Sequence, residues 1–125
     1  MKKLWILALV MMVPFSAQAD EGKKVYDEVC SKCHVLKMGW QIEDMSKLSA
    51  PPFPGVVRAV RGVFNNEAQF VEFVSTYIQN PTRIRSRVKD AIPQRFGLMP
   101  NIGADLTQEQ REAVAKWMYH YVGKM

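Results

Sequence analysis

Cysteine and histidine are both scarce in this sequence, with two of each in 125 residues. The cysteines, Cys30 and Cys33, are three positions apart, so no second pair is available for a structural disulfide. His34 and His120 lie far apart with no second C-x-x-C near either, and this excludes a four-ligand zinc site. The chain also lacks the alternating strand and helix pattern of a parallel sheet, and after residue 19 it has no apolar run approaching the roughly 20 residues needed to span a bilayer.

The first 19 residues have the three parts of a secretory signal peptide. Lys2 and Lys3 supply the positive charge, residues 4–15 the apolar stretch, and Ala17-Gln18-Ala19 the small-residue cleavage site. The apolar stretch is too short to span a bilayer. An uncleaved N-terminal anchor is the rival interpretation, and the well-formed cleavage site disfavours it. We therefore expect residues 1–19 to be removed and the product to be periplasmic, with no stable membrane insertion.

Residues 20–125 are enough for one small domain with one modest core. Loss of Lys2 and Lys3 lowers the formal charge from +5 to +3, so the mature chain is only mildly cationic. We expect no nucleic-acid partner for it, and expect it to be a monomer or to form a weak complex.

The most informative motif is Cys30-Ser31-Lys32-Cys33-His34, a C-x-x-C-H sequence typical of covalent haem attachment. Residues three and four apart share one face of a helix, so the two thiols and the imidazole can meet one flat ligand. Cys30 and Cys33 can form thioethers with the haem vinyl groups, and His34 is then the proximal ligand of the iron. A thioredoxin-like disulfide would need a βαβ setting that the chain does not offer. We predict one haem c per chain.

Capping residues, apolar spacing and prolines predict an all-α domain with long irregular loops folded over the haem. The predicted elements are, in order, a helix over 20–33, a loop over 35–50 with at most one helical turn, an extended turn over 51–55, a helix over 56–63, a helix capped by Asn66 with Gln69 and ended by Asn80-Pro81, and a helix begun by Thr107 with Gln110 and ended by Gly123.

The mature chain resembles the class I c-type cytochromes over essentially its whole length. The resemblance is carried by Gly22 and Tyr26 ahead of the C-x-x-C-H motif, the proline-rich segment at 51–55, Met99-Pro100 in a loop, and Val114 and Trp117 in the last helix. It implies the cytochrome c fold, in which the N- and C-terminal helices cross. Gly22 would permit that close approach.

The same resemblance implies that Met99 is the second iron ligand. Pro100 favours an extended conformation at Met99, which suits a loop that projects a thioether. It also implies that a carbonyl near Pro51 or Pro52 accepts a hydrogen bond from the His34 ring, with the choice left open. Trp40 either bonds a haem propionate or packs on the porphyrin. His120 is interpreted as a partly solvated flank residue.

The other methionines considered, Met38, Met45, Met118 and Met125, are interpreted as core filler.

Two protein ligands on the iron leave no vacant site for a substrate, so we expect an electron carrier and not an enzyme, with periplasmic redox proteins as donor and acceptor. One alternative is a ligand-binding or peroxidase-like haem protein with a labile Met99. Another is a small electron-transfer subunit of a periplasmic dehydrogenase or reductase. A basic stretch, formed by Arg83, Arg85, Arg87 and Lys89, is a candidate docking surface for an acidic partner.

Overall fold

The computed structural model describes residues 15–82 and 94–121. These residues contain four α-helices: α1 (Phe15–Glu28), α2 (Phe53–Val63), α3 (Glu67–Gln79) and α4 (Gln108–Tyr121). Short 3₁₀ turns and irregular segments connect them, and no strand occurs within these two ranges. The expected all-α class is confirmed.

The first and last helices cross where Gly22 of α1 lies against α4. A Cβ atom on Gly22 would come within 2.6 Å of the Trp117 Cβ and would also collide with the backbone carbonyl of Ala113. A Cβ atom cannot approach either of these groups so closely, so only glycine fits at this crossing. The predicted contact between the terminal helices is confirmed, and it brings the end of α1 to a fixed place on the core.

The core lies between α4 and the other three helices. Its buried members are Val25, Tyr26, Phe53, Val57, Val60, Phe70, Val74, Val114, Ala115 and Met118. An aromatic cluster joins three elements: the Tyr26 ring centroid is 4.6 Å from that of Phe53 and 5.2 Å from that of Trp117. Phe53 and Trp117 stack at 5.7 Å. Rings at these distances attract one another beyond the burial of their surface, so the cluster ties α1, α2 and α4 together.

The predicted cap at Thr107 is confirmed with both of its hydrogen bonds, and the cap at Asn66 with one of the two, because the Gln69 side chain does not bond back to the Asn66 N–H. Asn66 precedes α3, and its side-chain oxygen accepts a hydrogen bond from the Gln69 backbone N–H at 3.3 Å. Thr107 precedes α4 in a reciprocal pair, since the Gln110 N–H donates to its hydroxyl at 3.1 Å and its own N–H donates to the Gln110 side chain at 2.9 Å. These bonds satisfy N–H groups that have no partner within the helix.

Two helices start earlier than predicted. α1 begins at Phe15, five residues before the predicted start, and the helix-favouring residues Ala17, Gln18 and Ala19 account for the extension. α2 begins at Phe53, so Phe53 and Pro54 form its first turn and not an extended turn. Proline is well suited there, because its missing N–H has no helical partner in the first turn.

The first helix also ends earlier than predicted, at Glu28, and a separate 3₁₀ turn, Cys30–Lys32, follows it. The Ser31 hydroxyl donates to the Asp27 carbonyl at 2.6 Å and occupies an acceptor at the helix end. β-branched Val29 and the weak helix formers that follow it also disfavour continuation.

The segment over 35–50 contains two 3₁₀ turns, Gly39–Gln41 and Met45–Lys47, where at most one turn was predicted. Each is closed by a side chain. The Gln41 side-chain oxygen accepts from the Met38 N–H at 2.8 Å, and the Asp44 carboxylate accepts from the Ser46 N–H at 3.0 Å. Local hydrogen bonds of this kind, and not a periodic spacing of apolar residues, determine where these turns form.

Some predictions concern residues outside the described ranges: the end of α4 at Gly123, the role of Met125, and the basic stretch that includes Arg85 and Arg87. Across the two described ranges, every helix falls short of the length and apolarity that a membrane crossing requires.

A matched pair of glycine substitutions tests the crossing of α1 and α4. Gly22→Ala should lower the free energy of unfolding by about 1–3 kcal/mol, because the new Cβ overpacks a rigid contact. Gly62→Ala, in α2 with open space around its Cβ, should raise it by about 0.5–1 kcal/mol through reduced chain entropy. Urea unfolding of the intact protein measures both. Equal shifts in the two variants would contradict the close approach at Gly22.

Candidate functional site

The C-x-x-C-H segment forms a compact turn at the end of α1. The N–H groups of Cys33 and His34 both donate to the Cys30 carbonyl, at 3.2 and 2.9 Å. Cys30 and Cys33 are half-buried and not joined by a disulfide. The structure therefore brings three of the predicted site residues together on one turn, with both thiols available.

The imidazole of His34 is oriented by a backbone carbonyl. Its Nδ1 lies 2.7 Å from the Pro51 oxygen. A carbonyl oxygen can only accept, so Nδ1 carries the proton and Nε2 keeps its lone pair, the form that binds metals. Burial lowers the pKa of His34, and the hydrogen bond to Pro51 opposes that shift in part. Of the two prolines considered, Pro51 itself supplies the carbonyl.

The backbone of His34 is fixed by a hydrogen bond that sequence reasoning missed. The Tyr26 hydroxyl donates to the His34 carbonyl at 2.6 Å. Burial first, and then the nearby Cys30, Asp27 and Tyr121, raise the pKa of Tyr26 to about 12, so the phenol stays protonated and keeps its donor. No sequence pattern relates a tyrosine to a backbone carbonyl eight residues later, so the sequence alone does not predict this bond.

The residue after His34 is held from the other side. The Phe53 N–H donates to the Val35 carbonyl at 2.9 Å, and the Phe53 ring meets the His34 ring edge-on at 6.3 Å. Pro51, which precedes α2, and Phe53, its first residue, thus supply a carbonyl, an N–H and an aromatic ring to one short segment. The imidazole has its position set from α1 and α2 together.

The environment of Cys30 disfavours thiol redox chemistry. Burial raises its pKa to about 11, so the thiol is protonated at neutral pH. Reactive cysteines of disulfide oxidoreductases show the opposite shift, toward thiolate. This agrees with the rejection of a thioredoxin-like site.

Met99 lies on a separate segment, between the 3₁₀ turns Gln94–Phe96 and Ile102–Asp105, and is half-buried. Gly97 has a φ of +67°, a left-handed conformation that favours glycine, and it turns the chain just before Met99. Two contacts hold this segment. Arg95 Nη2 donates to the Met45 carbonyl at 2.6 Å, and buried Gly103 packs so closely on Ile78 of α3 that a Cβ would lie 2.5 Å from its carbonyl oxygen.

Neither contact was predicted. Gly103 follows the C-terminal side of the Met99 loop with no sequence motif around it, and Arg95 meets a residue 50 positions away. A glycine that directly follows a branched aliphatic residue, as in Ile102-Gly103, is too common a pattern to indicate a close approach.

The remaining candidates differ in outcome. His120 Nε2 lies 3.1 Å from the Glu67 carboxylate and is half-buried, as expected for a flank residue. Met118 is core filler, 6% exposed, whereas Met45 is 40% exposed and its interpretation as core filler was wrong. Its position on a 3₁₀ turn with a hydrogen-bonded carbonyl explains the difference. Trp40 is 82% exposed, and its contact with a haem stays a prediction.

The family of this chain is shown by comparison with known proteins. The family model described as cytochrome c oxidase, cbb3-type, subunit III matches residues 17–118, so the chain belongs to this family of c-type cytochrome domains. It is 32% identical to an uncharacterized protein of Aquifex aeolicus (strain VF5) over 134 aligned residues, which cover 96% of this chain and 88% of the relative. No solved structure matches it.

Membership in this family implies a covalently bound haem c with its iron. The donor set of the site fits such a group: it has two unpaired thiols three residues apart and a neutral imidazole with one nitrogen engaged by Pro51 and the other carrying a lone pair.

The hydroxyl of Tyr26 gives a test of how firmly this segment is held. Tyr26→Phe should lower the free energy of unfolding by about 1–3 kcal/mol, because the His34 carbonyl loses its buried donor. The matched control is Tyr119→Phe. Its hydroxyl donates to the exposed Asn65 carbonyl at 3.0 Å, where water replaces it, so the loss should stay near 0.5 kcal/mol. Urea unfolding compares them, and equal losses would show that the Tyr26 bond has no special weight.

Proposed function

We propose that this chain is an exported carrier of single electrons whose one haem c is held by Cys30, Cys33, His34 and Met99. The family supports haem-based electron transfer. The single observation that carries the residue assignment is the 2.7 Å hydrogen bond from His34 Nδ1 to the Pro51 carbonyl, because it leaves Nε2 as the only ring nitrogen available to a metal.

In this proposal Cys30 and Cys33 provide the two thioether links, and His34 provides the proximal nitrogen. The Pro51 carbonyl keeps the imidazole in one tautomer and one orientation and makes it a more basic ligand. Tyr26 and Phe53 hold the backbone on either side of the imidazole, so little of the protein has to move when the charge at the site changes.

Met99 would hold the iron through its thioether sulfur. When bound, the haem supplies a one-electron couple, and a methionine ligand favours its reduced state. With both His34 and Met99 as ligands, the chain would exclude water and small molecules from the metal. The role of the protein is then packing and docking to redox partners, and we assign it no catalytic residue.

The proposed location is the periplasm, reached through the signal peptide of residues 1–19. Cleavage after Ala19 would remove the first five residues of α1 and retain Asp20 to Glu28, which include Gly22, Val25 and Tyr26. Every α1 contact that positions the site is therefore kept in the mature chain. The proposed partners are periplasmic redox proteins that donate and accept electrons.

A second candidate function is supported by the description of the family, which names a subunit of an oxidase. In that case the chain would be a permanent electron-transfer subunit of a larger respiratory complex. Size-exclusion chromatography of the gently extracted native protein separates the two candidates. A carrier should elute at the size of one chain or a small complex, whereas a subunit should elute together with its large partner.

The proposed ligand set predicts the behaviour of Met99→Ala. The haem should remain attached, since the thioethers come from Cys30 and Cys33, but the reduced protein should now bind carbon monoxide. The near-infrared sulfur-to-iron band of the oxidised protein should be lost. The control, Met45→Ala, removes an exposed methionine and should leave both properties as in the parent.

Carbon monoxide binding by the reduced parent, as readily as by the Met99 variant, would contradict a sealed carrier. It would instead support the ligand-binding alternative, in which Met99 is labile.

A further inference from the structure

Arg95 connects the Met99 loop to a distant part of the chain. Its Nη2 donates to the Met45 carbonyl at 2.6 Å, and its guanidinium lies 4.1 Å from the centroid of the Phe96 ring. The ring fixes the plane of the guanidinium by a cation–π contact, which aims the N–H group at the carbonyl. A charged donor makes this hydrogen bond stronger than one between neutral groups.

The acceptor side of this contact is itself well ordered by local bonds. The Asp44 carboxylate accepts from both the N–H and the hydroxyl of Ser46, at 3.0 and 2.6 Å. The hydrogen bonds from Ser46 lower the pKa of Asp44, and the charge of Arg95 lowers it further. Arg95 thus meets a carbonyl and a nearby negative charge on one closed turn, Met45–Lys47.

The position of Arg95 in the loop gives the contact its consequence. Met99 follows four residues later, after the left-handed turn at Gly97, and Gly103 anchors the far end of the loop on Ile78. Met99 therefore lies between two anchors. Without the Arg95 anchor the loop has more conformations to lose when Met99 is held in place, and that entropy cost opposes ligation.

We propose that Arg95 is a positioning residue for Met99: by holding the Met99 loop on the Met45–Lys47 turn, it sets how readily Met99 gives way to an outside ligand. This inference rests on the proposed function, since it requires Met99 to be the distal ligand. Arg95 touches neither the iron nor Met99 in this role and acts through the loop alone.

The experiment is a titration of the oxidised holoprotein with imidazole, followed by loss of the near-infrared sulfur-to-iron band. Arg95→Gln should bind imidazole about tenfold more tightly than the parent. This factor corresponds to the low end of the energies found for hydrogen bonds to charged groups, and we choose the low end because the Arg95 side chain is exposed. Arg95→Lys keeps a charged donor but loses the planar guanidinium that stacks on Phe96. Its affinity for imidazole should therefore lie between those of the parent and of Arg95→Gln.

The matched control is Lys47→Gln. Lys47 Nζ lies 3.8 Å from the Asp44 carboxylate on the same turn, so this variant removes one positive charge there and leaves the Arg95 hydrogen bond intact. It should bind imidazole as the parent does. Urea unfolding of each variant measures its overall stability, which separates local release of Met99 from general loss of stability.

The outcomes are distinguishable. Imidazole affinity in Arg95→Gln equal to that of the parent, or an equal rise in Lys47→Gln, overturns the positioning role while Met99 ligation stands. Absence of the sulfur-to-iron band from the parent itself overturns Met99 ligation, and the positioning role with it.

Discussion

The contact between Gly22 and α4 is the constraint on which the rest of the structure depends. It fixes the axis of α1, and α1 carries both Tyr26 and the turn with the two cysteines. Trp117 lies at the same crossing and stacks on Phe53, so the start of α2 takes its position from the same place. A side chain at position 22 would separate the two helices and shift each of these groups together.

The two sides of the candidate site are built in different ways. On the His34 side the contacts come from α1 and from the segment that leads into α2, through Tyr26, Pro51 and Phe53, and the two that involve side chains are partly buried. On the Met99 side the holding contact is an exposed arginine on a carbonyl, together with the packing of Gly103. Burial makes the first set costly to break, whereas water competes for the second.

Much of this could be predicted from the sequence, because the signals are local. The C-x-x-C-H motif, the caps at Asn66 and Thr107, and the glycine at the helix crossing each depend on a few neighbouring residues or a family pattern. The 3₁₀ turns, the start of α2 at Phe53 and the hydrogen bond from Tyr26 to His34 could not, since small differences in backbone energy decide them. The Arg95 contact spans 50 positions, and no periodicity relates residues so far apart.

The crossing of α1 and α4 joins parts of the chain separated by about 90 residues. Bringing such distant segments together costs conformational entropy, and the contact that offsets this cost can form only once both helices have been made. Synthesis proceeds from the N-terminus, so α1 and the cysteine turn emerge long before α4. The core that α1 and α4 share therefore cannot close until the chain is almost complete, and until then the helix that carries the cysteine turn has no α4 to pack against.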